Sequence, residues 1–129
     1  MKLVKPHMKI QKASEDYLES MLMMKEQHGY IRSVDVADHL GVTKPSVTYA
    51  TKRLRENGYI LVSDSGFITL PDSGMEIAEM IYERHTLLST WLETLGVDKE
   101  IAAQDACKME HAISAESFLA LKSLTRFSD

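Results

Sequence analysis

The chain holds a single cysteine, Cys107, so no intrachain disulfide can staple it and nothing calls for an oxidising compartment. No stretch approaches about 20 consecutive apolar residues, which excludes a membrane-spanning helix. The opening MKLVKPHMKI is basic, yet no apolar run or small-residue cleavage site follows it, so a secretory leader is not expected. Repeats, low-complexity tracts and long linkers are missing too. With 129 residues, 44% of them hydrophobic, the chain can bury one modest core, in one piece or two lobes. The expectation is a soluble cytoplasmic protein with no membrane partner.

Excess positive charge is also absent. A net charge of −4 by itself speaks against a polyanionic partner. Its distribution points the other way. Residues 1–58 carry ten Lys and Arg against seven Asp and Glu, whereas residues 59–129 carry five against twelve. A basic half joined to an acidic half is expected when one part meets phosphate and the other binds a cation. A solvated surface of mixed charge gives the same arithmetic.

Helical periodicity and punctuation divide the chain. Ser14 precedes EDYLESMLMMKEQ, whose Leu18, Met21, Leu22 and Met24 recur at helical spacing, and Gly29 ends that run. Ser33 is expected to cap VDVADHL, which stops at Gly41. Thr43 caps KPSVTYATKRLREN, with Pro45 in the first turn, where a missing N–H costs nothing, and Gly58 closing it. YILVS and FITL, separated by DSG, read as a hairpin. Pro71 opens a long helix running to Gly96, Asp98 caps KEIAAQDACKMEHAI, and Ser114 caps AESFLALKSL.

The second and third helices, joined by GVT, form a helix-turn-helix candidate followed by a hairpin where a winged-helix protein carries its wing. Val36, Ala37 and Leu40 can pack against Val47 and Leu54. Lys44, Pro45, Ser46, Thr48, Tyr49, Thr51, Lys52 and Arg55 are then the candidate DNA-reading residues. Small hydroxyls suit base edges, and Lys and Arg suit phosphates. An amphipathic helix with a merely solvated polar face shows the same pattern.

In the long helix, Ile77, Ile81, Leu88, Leu92 and Leu95 make an apolar stripe on which His85 falls, and Met80, Leu87 and Trp91 make a second row that predicts a two-fold partner surface. Cys107 stands three residues before Glu110 and four before His111, a spacing that puts all three on one helical face. A metal site, a nucleophile with its base, and chance all fit that spacing. Catalysis is the weakest: no Gly-rich turn offers oxyanion donors, the cysteine lies mid-helix, and EHAIS is not the H-E-x-x-H motif. Taken with Asp16 and Glu19, three apart in the first helix, and with His85, the set offers metal ligands on three helices. Several carboxylates buried together need a cation. Mixed oxygen, nitrogen and sulfur donors suit a borderline divalent transition metal.

EDYLE, VADHLGVTKPSVTYATKRLRENGYI, TLPDSGMEIAEMIYERHTLL and CKMEHAIS, in this order, resemble the diphtheria-toxin-repressor family of metal-dependent transcriptional repressors, with a size like that of its manganese-transport-regulator branch. The resemblance covers about residues 11–125. It implies a mainly α fold, with a winged helix-turn-helix DNA-binding domain over residues 1–71 and a helical metal-binding and dimerisation domain over residues 72–129. Carried over residue by residue, it implies metal ligands at Asp16, Glu19, His85, Cys107, Glu110 and His111, and a DNA-reading helix over residues 44–57. No SH3-like domain is expected in the chain, and no catalytic residue.

The pattern is a hybrid within the family. Iron-responsive members share the cysteine of position 107 but carry methionine where Asp16 stands. Manganese-responsive members match Asp16 and Glu19 but carry glutamate in place of Cys107. Of the iron branch's ancillary site only His85 is present, since Ser89 and Ala103 occupy positions where ligands are expected. The resemblance therefore implies a homodimeric, non-enzymatic repressor of metal-ion homeostasis, activated by Fe²⁺ or Mn²⁺ (Co²⁺ or Zn²⁺ able to substitute), that binds a double-stranded DNA operator. The competing expectation is a winged-helix regulator sensing an organic ligand or none, with the cluster inert.

Overall fold

A computed structural model describes residues 12–128; the basic stretch MKLVKPHMKI lies outside them. The elements run α1 (Lys12–His28), α2 (Ser33–Leu40), α3 (Lys44–Glu56), β1 (Leu61–Val62), β2 (Ile68–Thr69), α4 (Asp72–Thr94), α5 (Lys99–Met109) and α6 (Ala115–Ser128). The chain divides into two compact units, one ending at Glu79 and the other beginning at Met80.

In the first unit, α1 packs on α2 and α3, and α2 on α3. Tyr17, Leu18, Met21, Leu22 and Met24 of α1 are buried, as are Val36 and Ala37 of α2 and Val47 and Leu54 of α3. Removing this much apolar surface from water is what holds three short helices that would be marginal alone. Leu40 is only half-buried. Gly41, with a φ of 68°, lets the chain reverse after α2: its N–H bonds back to that helix and Val42 N–H reaches the carbonyl of Ala37.

One expected cap is displaced, and one helix begins earlier than its pattern suggested. Ser14 lies inside α1, and Ser33 is the first residue of α2 rather than its cap; Arg32 takes that position without any side-chain capping bond. The reason for the cap's displacement is a contact the pattern did not reveal. Arg32 bridges Phe67, and Ile68 N–H donates to the carbonyl of Ile31 at 2.9 Å. The residues before α2 thus add an isolated bridge to the two-stranded hairpin, in which Leu61 pairs with Thr69 and Val62 with Ile68.

The start of α4 is locked to the end of β1's approach. Ser73 Oγ donates to the carbonyl of Gly58 at 2.6 Å. At Gly74 a Cβ atom would fall 2.0 Å from the carbonyl oxygen of Tyr59, so only glycine permits this approach of the helix to the segment before β1.

The second unit holds the rest of α4 with α5 and α6. Ile81 and Leu88 of the predicted stripe are buried, but Leu92 is half-buried and Leu95 is 64% exposed. Met80, Leu87 and Trp91 are half-buried. Asp98 caps α5 through Glu100 N–H at 3.1 Å, and Ser114 caps α6 through Ser117 N–H at 3.0 Å, both as expected. Helix α5 stops at Met109 instead of running through Ile113. Past Glu110 the N–H groups of Ala112 and Ile113 both turn to the carbonyl of Met109, which tightens the chain into a turn.

Candidate metal centre and nucleic-acid interface

The α2–α3 turn is built locally. Thr43 Oγ1 accepts from Ser46 N–H at 3.3 Å and donates to Ser46 Oγ at 3.0 Å, fixing both hydroxyls at the start of α3. Lys44, Pro45, Ser46, Thr48, Tyr49, Lys52 and Arg55 are exposed. Thr51 departs from the expected outward set. It is half-buried, and its hydroxyl donates to the carbonyl of Val47 at 2.8 Å, turned onto its own helix. Arg53 escaped the sequence reading. It is exposed, its guanidinium lies 5.8 Å from the centre of the Tyr49 ring, and the i, i+4 spacing was the available signal. A second cation, Arg32, lies 5.5 Å from the Phe67 ring on the hairpin.

In the second unit the chemistry converges on Glu110, which is wholly buried. His85 Nδ1 lies 2.8 Å from Oε1. With the carboxylate oxygen as acceptor, Nδ1 is the donor of this pair. Oε2 accepts no hydrogen bond among the described residues, although His111 Nε2 is 3.4 Å away. Cys107, Glu110 and His111 each bring a donor atom within 4.8 Å of the others. Cys107 is half-buried, and the His111 side chain is 6% exposed. The expected shared helical face is modified here: Glu110 is the C-cap of α5 and His111 lies in the turn beyond it.

A buried carboxylate oxygen without a donor is costly. A thiol, an imidazole and a carboxylate within ligand distance of one another supply what a divalent cation needs, so the residues present fit a metal. Asp16 and Glu19 lie on α1 of the first unit. Asp16 is half-buried with Oδ2 3.1 Å from Lys12 Nζ, and Glu19 is 7% exposed. Their spacing of three puts them on one side of α1.

Arg84 also escaped the sequence reading. It is buried, and one guanidinium nitrogen donates to the carbonyls of Glu110 at 3.0 Å and Ile113 at 2.8 Å. Its guanidinium carbon lies 5.4 Å from the centre of the Phe118 ring. Nothing in the sequence distinguishes this arginine from a solvated helix charge.

A helix-turn-helix with a wing and a His–Glu–His–Cys grouping around a buried carboxylate define a DNA-binding regulator with a metal-ligand set. The comparisons agree. Residues 9–66 match the family model for the iron-dependent repressor N-terminal DNA-binding domain, and residues 72–129 match that for the iron-dependent repressor metal-binding and dimerisation domain. An uncharacterised helix-turn-helix transcriptional regulator of Methanocaldococcus jannaschii is 37% identical over 110 residues, covering 84% of this chain and 88% of that one. Transcriptional regulator MntR of Salmonella typhimurium is 36% identical over 112 residues, covering 87% of this chain and 71% of its own. A solved structure of the metal-dependent transcriptional regulator MtsR aligns with a TM-score of 0.80 at 27% identity, covering 88% of this chain and 54% of that chain. This chain thus spans about half the length of that solved structure. The chain belongs to the iron-dependent repressor family, the diphtheria-toxin-repressor group of metal-dependent regulators.

Proposed function

We propose that this protein is a homodimeric, metal-activated transcriptional repressor that controls metal-ion homeostasis in the cytoplasm by binding a double-stranded DNA operator. The observation that supports it most directly is the buried Glu110 carboxylate, with Oε1 on His85 and Oε2 beside His111 without a donor. In this reading Asp16, Glu19, His85, Cys107, Glu110 and His111 hold Fe²⁺ or Mn²⁺, and Co²⁺ or Zn²⁺ can substitute. The bound cation supplies the positive charge that buried carboxylates require. Residues 1–71 read DNA through Lys44, Pro45, Ser46, Thr48, Tyr49, Thr51, Lys52 and Arg55, with Thr51 acting through the helix backbone. Residues 72–129 carry the dimer surface, with Met80, Leu87 and Trp91 in it.

Ligands drawn from α1 and from α4–α5 tie the reading helix to the dimerisation helices. A dimer engages two half-sites only when its recognition helices are spaced to the groove repeat, roughly 34–36 Å or a multiple. Side chains that close on one ion restrict that spacing and raise the population competent to bind. No chemical step is involved.

The test is selection of genomic fragments by the full chain under anaerobic conditions, followed by affinity measurement across Mn²⁺, Fe²⁺, Co²⁺ and Zn²⁺ and with chelator. The expected outcome is sequence-specific binding that chelator removes and Fe²⁺ or Mn²⁺ restores. Specific binding indifferent to chelator would overturn metal activation, and a monomeric mass at micromolar concentration with metal present would overturn the dimer.

A further inference from the structure

Arg84 and His85 are neighbours on α4 and grip the same residue in two different ways. His85 meets the Glu110 carboxylate, and Arg84 meets the Glu110 main-chain oxygen. That oxygen lies at the end of α5, where the last carbonyls have no intrahelical partner. Glycine or a lysine in the last turn commonly serves such carbonyls. Here the buried guanidinium takes the carbonyls of Glu110 and Ile113, closing the turn that contains His111. The guanidinium carbon lies over the Phe118 ring of α6, 5.4 Å from its centre.

We infer that Arg84 is a positioning residue for the metal centre, one that fixes the aim of Glu110 and His111 by capping α5 and that ties α6 to the site through Phe118. The inference rests on the metal reading given above. Three physical points carry it. The turn between α5 and α6 carries two of the ligands, and side chains on an unpinned turn sample several orientations. A planar guanidinium can serve two carbonyls and stack on a ring at once, which an ammonium cannot. The guanidinium is also buried with its Nε unpartnered among the described residues, a cost accepted at a place where Nη1 holds ligand-bearing backbone. Outer contacts that orient ligands typically change metal affinity by about 10–100-fold.

The experiment uses the full chain, wild type and the variants Arg84→Gln and Arg84→Lys, titrated anaerobically with Co²⁺. Affinity is read together with the thiolate-to-cobalt charge-transfer band, while circular dichroism and metal-free melting report folding. The expected result is a Co²⁺ affinity roughly tenfold or more below wild type in Arg84→Gln and between the two in Arg84→Lys, with a shifted band in both. Metal-free DNA binding at low salt should stay unchanged. If Arg84→Gln does not fold, Arg84→Lys decides alone. A folded variant with the wild-type affinity and band overturns the inference and leaves the metal reading intact. A wild-type chain that shows no cobalt–thiolate band overturns the assignment of Cys107, and one that binds no Co²⁺ at all overturns the metal reading itself.

Discussion

The α2–α3 segment and the α5–α6 segment are built on opposite plans. In the first, apolar Val36, Ala37, Val47 and Leu54 are buried, and the polar residues of α3 other than Thr51 face solvent. Its caps and turns are made by near neighbours, such as Thr43 with Ser46. In the second, Glu110 is buried and is met from α4 by buried Arg84 and by His85, and Arg84 also takes the Ile113 carbonyl, partners 25 to 29 positions apart in the chain. A surface for reading DNA has to be exposed and can be preformed by local rules. A site that holds a cation has to remove charge from water, so it depends on contacts that the whole unit must assemble.

The largest effect that would sharpen this contrast comes from Glu110→Gln, which keeps the shape and removes the charge. Metal affinity should fall on the order of 100-fold, the upper end of the range for outer contacts, while metal-free binding to DNA at low salt stays at the wild-type value. Isothermal titration with Co²⁺ and fluorescence anisotropy on DNA check the two halves. Equal loss in both would show that the segments are not separable.

Next in size is Gly74→Ala in the first unit. The added methyl meets the Tyr59 carbonyl, and overpacking of this kind costs about 1–3 kcal/mol. The metal-free melting temperature should drop. A melting temperature at or above wild type, the sign expected from helix propensity alone, would show that the backbone there yields.

Cys107→Glu addresses which ion acts. A thiolate favours softer or more tightly held ions, and a carboxylate suits Mn²⁺. The Mn²⁺ response of DNA binding relative to Fe²⁺ should rise by roughly tenfold, equivalent to about 1.4 kcal/mol. Because the thiolate must be deprotonated to bind, the wild type should also lose activation as pH falls and on thiol oxidation, and the variant should not share the oxidation sensitivity. An unchanged ratio would make Cys107 a packing residue.

The smallest expected effect is that of Lys52→Ala. Exposed on α3, Lys52 is placed to meet phosphate, so its loss should weaken binding to all sequences alike and lower the salt slope by about one. Replacement of Ser46 or Thr48 should instead change sequence preference. Untouched affinity and slope in Lys52→Ala would remove α3 from the interface.

By itself the sequence determined the order of elements and the position of most of their ends. Thr43, Asp98 and Ser114 cap as their residue types and spacing require. Gly29, Gly41, Gly58 and Gly96 stand at helix ends with positive φ, which side chains disfavour. These are interactions over a few residues, and local chemistry suffices to write them. The clustering of Cys107, Glu110 and His111 was legible for the same reason, because three- and four-residue spacings survive even though α5 ends at Met109. Tertiary structure alone decided the rest. The pairing of Ile31 with Ile68 is made by backbone groups that every residue possesses, so no side chain announced it. Leu95 is as apolar as Leu88, yet one is exposed and the other buried. Periodicity specifies a face and not what covers it. Arg84 is the sharpest case: an arginine on a helix is ordinarily a solvated charge, and only the arrival of the α5–α6 turn beneath it converts that charge into a buried cap.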